Sequence, residues 1–349
     1  MKSLDPLELI LANAKRRSYE EYLKDDLQEE KEQVRRGMEL EKEVVKRFAR
    51  YVQEQGLELV TVSQDKLDWA RGVLGAGHVS AIDGTRQKPK DIISGVFCEI
   101  GLAEVTYKTM QEPVVKCMSI MSRLEGFNSV EDYYDNLHEV KANEQDITTA
   151  MIYWELEFCL ESLRNGRQWV FKDGPILHPS LAWKGSKTSI DMLEEVVRAQ
   201  RVIGVVKDFR AEEGGVTLLR YGKLLQPLQY LVVFRGASSW MLDVRQRDTE
   251  RTKIFKMGEG QKICRGVFKA RHTFYAFEVH QDVIEQGLAL LMADALNSKR
   301  GMPNLVDLAD RVARNRFPYG LYKEKIEREF LSESLTDYFD ILDERDMRE

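Results

Sequence analysis

Twice along this chain an apolar run ends in Asp-Gly, in "GHVSAIDG" at 77–84 and in "RQWVFKDG" at 167–174, and a third run, "RVIGVVKD" at 201–208, ends in Lys-Asp. Short apolar runs bounded by Gly and charge read as buried strands. A helical block lies between the first two, "NEQDITTAMIYWELEFCLESLRNG", with Ile152, Leu156, Cys159, Leu160 and Leu163 on one face. Its "RNG" ending places Gly166 where a helix stops in left-handed backbone. A second helix, "SIDMLEEVVRAQ", separates the second and third runs.

The region after Gly56 adds detail. "LELVTV" at 57–62 reads as a short strand and "QDKLDWARGVL" as a helix. "DIISGVFCEIGLAEVTYKTM" at 91–110 reads as two β runs joined at Gly101, which suggests a hairpin. The order is therefore three strands, then helix, strand, helix, strand, which predicts an α/β fold with a ribonuclease H-like mixed sheet flanked by helices. "YLVVFRG", "KIFKMG" and "TFYAFEVH" between 215 and 280 read as extra β structure, with helices from about 281 onward. Residues 26–55 carry Val34, Met38, Val44, Val45, Phe48 and Val52 near one helical stripe. They define an N-terminal helical arm at 1–75, either a solvated flank or a contact for a second copy or partner, followed by the ribonuclease H-like domain at 76–349.

Composition narrows the function classes. The 349 residues carry 52 Lys+Arg against 58 Asp+Glu, a net charge of −6, so no overall basic field points to a polyanionic partner. A local basic groove, with candidates in "RRGMELEKEVVKRFAR" and "NSKRG", stays compatible with that balance. The four cysteines, Cys98, Cys117, Cys159 and Cys264, form no CxxC pair, which fits a reduced, cytoplasmic setting. Neither a signal peptide nor a membrane span is expected.

The two Asp-Gly sites carry the chemistry. In the inferred topology Asp83 and Asp173 end neighbouring strands, and two carboxylates that close repel unless a cation lies between them. Oxygen ligands favour Mg²⁺ or Mn²⁺ over zinc. On the intervening helix Glu155 lies nearest the edge of the apolar face, Glu157 further round and Glu161 opposite. Glu155 is the expected third ligand, with Glu157 the alternative. Such a set holds two divalent ions roughly 3.5–4 Å apart for phosphodiester hydrolysis. The competing reading is that Asp-Gly after a strand is a common turn. Lys207, at the end of the third run, holds a scissile phosphate, damps the carboxylate repulsion, or is a surface lysine. His272 and His280 flank "TFYAF" on an expected strand and read as a β-surface pair, with a metal site as the alternative.

"SAIDGTRQ", "VFKDGPILHP", "RVIGVVKDFR" and "GMPNLVDLADRVAR" occur in this order. Together they resemble the signatures of the NurA family of DNA-repair nucleases, from about residue 76 to 315. The family carries a "DGS" strand, a helical Glu, a "DGSL" strand and a C-terminal "YPYPL..AH" segment. The resemblance implies a manganese-dependent nuclease, of 5'-3' exonuclease and single-strand endonuclease type, acting on single- and double-stranded DNA ends. It also implies a homodimer working with a HerA-type hexameric ATPase in double-strand-break end resection. By position Asp83 and Asp173 match the two motif aspartates, Glu155 the glutamate, and Asp310 the place of a metal-site histidine. Asp307, one turn earlier, competes with Asp310. Thr85 and Pro175 replace the motif serines, and Met302 stands where a tyrosine is common.

Other readings are weaker. "IDGT" lacks the spacer of the Asp-x-Gly-Thr phosphate loop of actin-like and sugar-kinase ATPases. Gly72, Gly75 and Gly77 precede a strand rather than link a strand to a helix. "EVTYK" has the wrong spacing for a PD-(D/E)xK nuclease, and no Gly-x-Ser-x-Gly is present. A non-catalytic DNA-end clamp or scaffold that keeps the fold is the main alternative from another class.

Overall fold

The structure is a computed structural model. It describes residues 18–21, 27–86, 90–92, 95–108, 112–121, 144–184, 186–207, 212–213, 216–237, 250–299, 301–317, 328–329 and 332. The chain forms two compact units, Met1–Gly56 and Leu57–Glu349. In the first, helix α1 (Leu27–Glu54) is rich in Glu, Lys, Arg and Gln, residues that lose little rotamer freedom in a helix. Val34, Leu40 and Val44 stand exposed on it, and the rings of Phe48 and Tyr51 stack at 5.6 Å.

The second unit is built on one mixed sheet. It opens with β1 (Leu59–Thr61), α2 (Gln64–Gly75), β2 (Val79–Arg86), β3 (Lys90–Ile92), β4 (Gly95–Thr106) and β5 (Val114–Met121). Then follow α3 (Glu144–Arg164), β6 (Trp169–Asp173), α4 (Pro179–Lys184), α5 (Lys187–Ala199) and β7 (Val202–Val206). β2 pairs antiparallel with β4 and parallel with β6, and β6 pairs parallel with β7. β5 lies on the far edge of β4, antiparallel to it. The order β5-β4-β2-β6-β7, with the last three strands parallel, is the ribonuclease H-like arrangement expected from the sequence.

After a small hairpin, β8 (Glu212–Glu213) with β9 (Val216–Thr217), and helix α6 (Leu218–Gly222), come β10 (Gln229–Arg235), α7 (Glu250–Met257), β11 (Ile263–Lys269) and β12 (Phe274–His280). β12, β11, β10 and β1 extend the sheet beyond β7 through antiparallel pairs. Helices α8 (Ile284–Ala295) and α9 (Asn304–Arg316) end the described core.

Strand alternation gives the sheet two buried faces. On one, Val79, Ala81, Phe171 and Val205 lie with Leu288 and Leu291 of α8 and Leu305, Val306 and Ala309 of α9. On the other, Ile82, Val170 and Val202 lie with Leu156 and Cys159 of α3 and Leu193 and Val197 of α5. Among the described residues no helix is long and apolar enough to cross a membrane, and the four cysteines are free.

Several expectations are corrected. The unit boundary falls at Gly56, not near 75, because β1 joins the sheet beside β10 and Leu67, Ala70 and Leu74 of α2 enter the core. Gly101 does not turn the chain: β4 runs straight through it. It is glycine because a Cβ there would lie 2.0 Å from the ring of Phe317, which seals the end of α9 against β4. "KIFKMG" is helical in α7, with Thr252, Phe255 and Lys256 buried at helical spacing while Ile254 and Met257 are exposed. The strand lies later, in β11. His272 precedes β12, whereas His280 is buried at its end and accepts the amide of Asp282, so the two share no face.

The Gly101 contact makes a prediction. Gly101→Ala forces Phe317 aside and lowers unfolding stability by about 1–3 kcal/mol, read by urea denaturation. Phe317→Ala in the same chain removes the clash, so the two losses combine to less than their sum. Full additivity would show that the contact does not exist.

Candidate metal centre

Pairing registers Ile82 of β2 opposite Lys172 of β6, so the next residues, Asp83 and Asp173, lie side by side where the parallel pairing stops; Asp173 ends β6, but Asp83, expected at a strand end, lies within β2, which continues to Arg86 beside β4. Alternation puts both on the face of Ala81 and Phe171, the face that α9 covers. Asp310 follows buried Ala309 on α9 and comes down on the same end. One carboxylate oxygen from each of Asp83, Asp173 and Asp310 lies within 4.8 Å of the others. Asp83 is 7% exposed, and the side chains of Asp173 and Asp310 are 14% and 20% exposed. The cluster is closed on the sheet side and opens past Asp310.

Two cations flank it. Lys207, directly after β7, pairs with Asp173. Arg314 Nε lies 2.9 Å from Asp310 one helical turn on, but its side chain is 71% exposed and contributes little. Asp307 pairs instead with Arg311 and stays out of the cluster.

Glu155 occupies the other face. Its carboxylate is buried, ion-paired with Lys172 Nζ at 2.6 Å, and accepts the amide of Gly84. A Cβ on Gly84 would come 2.5 Å from Glu155 Oε1, which is why the residue after Asp83 has no side chain. Glu155 is therefore not among the three clustered carboxylates. Glu157 is exposed, and Glu161 pairs with Lys116. Lys172 was not anticipated. A signal existed: on a strand that alternates faces, the lysine before Asp173 must point under α3, and a charge buried there needs a partner. Lys172 Nζ also donates to the carbonyl of Asp173 at 2.8 Å. Loss of one partner of such a buried pair costs about 3–5 kcal/mol.

The turn after Asp173 is fixed from beneath. Gly174 has φ +94° and its amide donates to the carbonyl of Val205 at 2.8 Å. The turn folds over Gly204, where a Cβ would lie 2.8 Å from the Gly174 carbonyl oxygen. Buried Glu278 on β12 accepts the amide of Leu177 at 2.8 Å. Helix α9 is held at its start by Asp294, which accepts the amide of Leu305 at 2.9 Å and the hydroxyl of Tyr107.

Burial, then Asp173, Glu155 and Asp310, push the Asp83 carboxyl up to about 8, with Lys207 opposing. Burial also raises Asp173, against Lys207 and Lys172. Burial works against charge on Lys207, but Asp173, Asp310 and Asp83 outweigh it and its net shift is upward. Three carboxylates clustered this closely form a donor set suited to a hard divalent cation such as Mg²⁺ or Mn²⁺.

Sheet order and centre together define a ribonuclease H-like α/β protein with a three-aspartate site. No protein-family model matches the sequence, and no curated protein does. Among solved structures the chain is similar to the NurA nuclease from Sulfolobus solfataricus, at 9% identity, covering 85% of this chain and 98% of that one with a TM-score of 0.46. It is similar to a NurA structure with manganese at 9% identity, 77% and 95% coverage, and a TM-score of 0.47. It is also similar to the catalytic domain of human endonuclease V, at 14% identity, 82% and 98% coverage, and a TM-score of 0.39.

The raised Asp83 fixes a pH dependence. Below about 8 the metal-free carboxyl keeps its proton, and a cation must displace it. Affinity for a divalent cation therefore rises with pH, by at most about tenfold per pH unit for one proton, and levels off above about 8. Calorimetric titration across this range checks it, and Asp83→Asn flattens the profile. A wild-type affinity that does not change with pH would contradict the assignment.

Proposed function

We propose that this chain is a divalent-metal-dependent nuclease that hydrolyses phosphodiester bonds in DNA. The observation that carries this reading is the meeting of Asp83, Asp173 and Asp310 within 4.8 Å at the end of the parallel strands. Asp83, Asp173 and Asp310 hold the cation, Mn²⁺ or Mg²⁺. When bound, such a cation neutralises charge on the phosphate and activates water for attack.

The chain's own groups do the rest. Lys207, 37% exposed at the open side, offers its ammonium to a non-bridging phosphate oxygen while its pairing with Asp173 orients that carboxylate. The closed sheet side excludes solvent behind Asp83 and strengthens these interactions. Glu155, held by Lys172, fixes Gly84 and so the direction in which Asp83 leaves β2.

The finer reading rests on the order of the four motifs. In it the substrates are single- and double-stranded DNA ends, with 5'-3' exonuclease and single-strand endonuclease action. The working form is a homodimer that partners a HerA-type hexameric ATPase in double-strand-break resection.

Linear DNA incubated with Mn²⁺ is expected to be degraded, and EDTA to stop it. Asp83→Asn and Asp173→Asn lower the rate by on the order of a hundredfold or more while the fold is retained, checked by circular dichroism. Unimpaired cleavage by both variants would sink the site. DNA binding with no cleavage under any metal would instead support a non-catalytic clamp.

A further inference from the structure

We infer that this centre holds one divalent cation per chain, not the two that four carboxylates suggest, because the side-chain nitrogen of Lys172 already occupies the Glu155 side. The inference deepens the nuclease reading and rests on it.

The carboxylates divide between the two faces of the sheet. Asp83, Asp173 and Asp310 cluster on the α9 face. Glu155 stands apart on the α3 face, buried, with Lys172 Nζ at 2.6 Å. Lys172 is itself 1% exposed. Its ammonium sits between two acceptors, the Glu155 carboxylate and the Asp173 carbonyl at 2.8 Å. It also lies 3.4 Å from where a Cβ on Gly174 would be, so the turn closes directly over it. An ammonium with two oxygen partners and no water access is a cation site already filled.

Charge counting agrees. The carboxylates of Asp83, Glu155, Asp173 and Asp310 face the ammoniums of Lys172 and Lys207. Two negative charges remain, the charge of one divalent ion. Glu155 is not free to turn toward the aspartates: that would strand a buried ammonium with a single carbonyl partner.

The test counts ions bound to the full chain, by equilibrium dialysis with metal analysis and by the Mn²⁺ paramagnetic resonance spectrum. Wild-type chain is expected to bind one Mn²⁺ with the spectrum of an isolated ion. Lys172→Met, which frees the Glu155 carboxylate, is expected to take up a second Mn²⁺ and to show a spin-coupled spectrum. Lys172→Met with Glu155→Gln, which keeps the position neutral and guards against misfolding of the single variant, returns to one. Two Mn²⁺ in the wild type, or a folded Lys172→Met chain that still binds one, would each overturn the inference. A wild-type chain that binds no Mn²⁺ fails at the level below, in the metal-dependent reading itself.

Discussion

The parallel pairing of β2 with β6 is the constraint on which the centre depends. It sets Ile82 beside Lys172, and so delivers Asp83 and Asp173 side by side where the parallel pairing ends, β6 stopping at Asp173 while β2 runs on to Arg86. A one-residue slip in that register would turn one of the two carboxylates to the opposite face of the sheet. The register is held by what lies on each face. Ala81 and Phe171 are buried under α8 and α9, and Ile82 and Val170 are buried under α3 and α5. Apolar burial at about 25 cal/mol per Å² makes a slipped register costly many times over. The hydrophobic core therefore holds together two like charges that would otherwise separate.

Close approach at the end of the sheet requires missing side chains. Gly84 leaves room for Glu155, and Gly204 leaves room for the turn after Asp173. Asp-Gly plays a different part at each position: at 83–84 it lies within β2, where the glycine admits a buried carboxylate, and at 173–174 it turns the chain with a positive φ. The choice posed by the sequence between turn residue and functional residue was not an exclusive one.

Much of this was legible in the residues. Apolar runs with their terminal Asp-Gly gave the strand order, and periodicity on residues 143–166 gave α3, whose stop at Gly166 has φ +94°. What was not legible depended on partners distant in sequence. Gly101 looked like a hairpin because nothing local reveals that Phe317 lies across it. "KIFKMG" looked β-like because its buried set, Thr252, Phe255 and Lys256, is defined by the core it meets and not by its own composition. At the centre, Asp83 and Asp173 were readable as neighbours because strand order alone brings β2 beside β6. Alternation placed Lys172 under α3, but that its partner is Glu155 was not readable, because that depends on which way the helix faces.

The third aspartate raises a different physical question, since Asp310 sits mid-helix, away from any strand. Its position is as good as the seating of α9, and α9 is anchored at both ends. At its start Asp294, pushed up to about 6 by burial, accepts the Leu305 amide and the Tyr107 hydroxyl, so Tyr107, just beyond β4, is tied to the helix. At its end Phe317 fills the space above Gly101, again on β4. Both anchors thus belong to the stretch of chain that pairs with β2, the strand carrying Asp83. Motion of α9 along its own axis would have to break both, and motion of β4 would carry β2 with it. Asp310 and Asp83 are therefore coupled through β4 even though no bond joins them. That coupling lets a residue on a C-terminal helix complete a centre begun more than two hundred residues earlier.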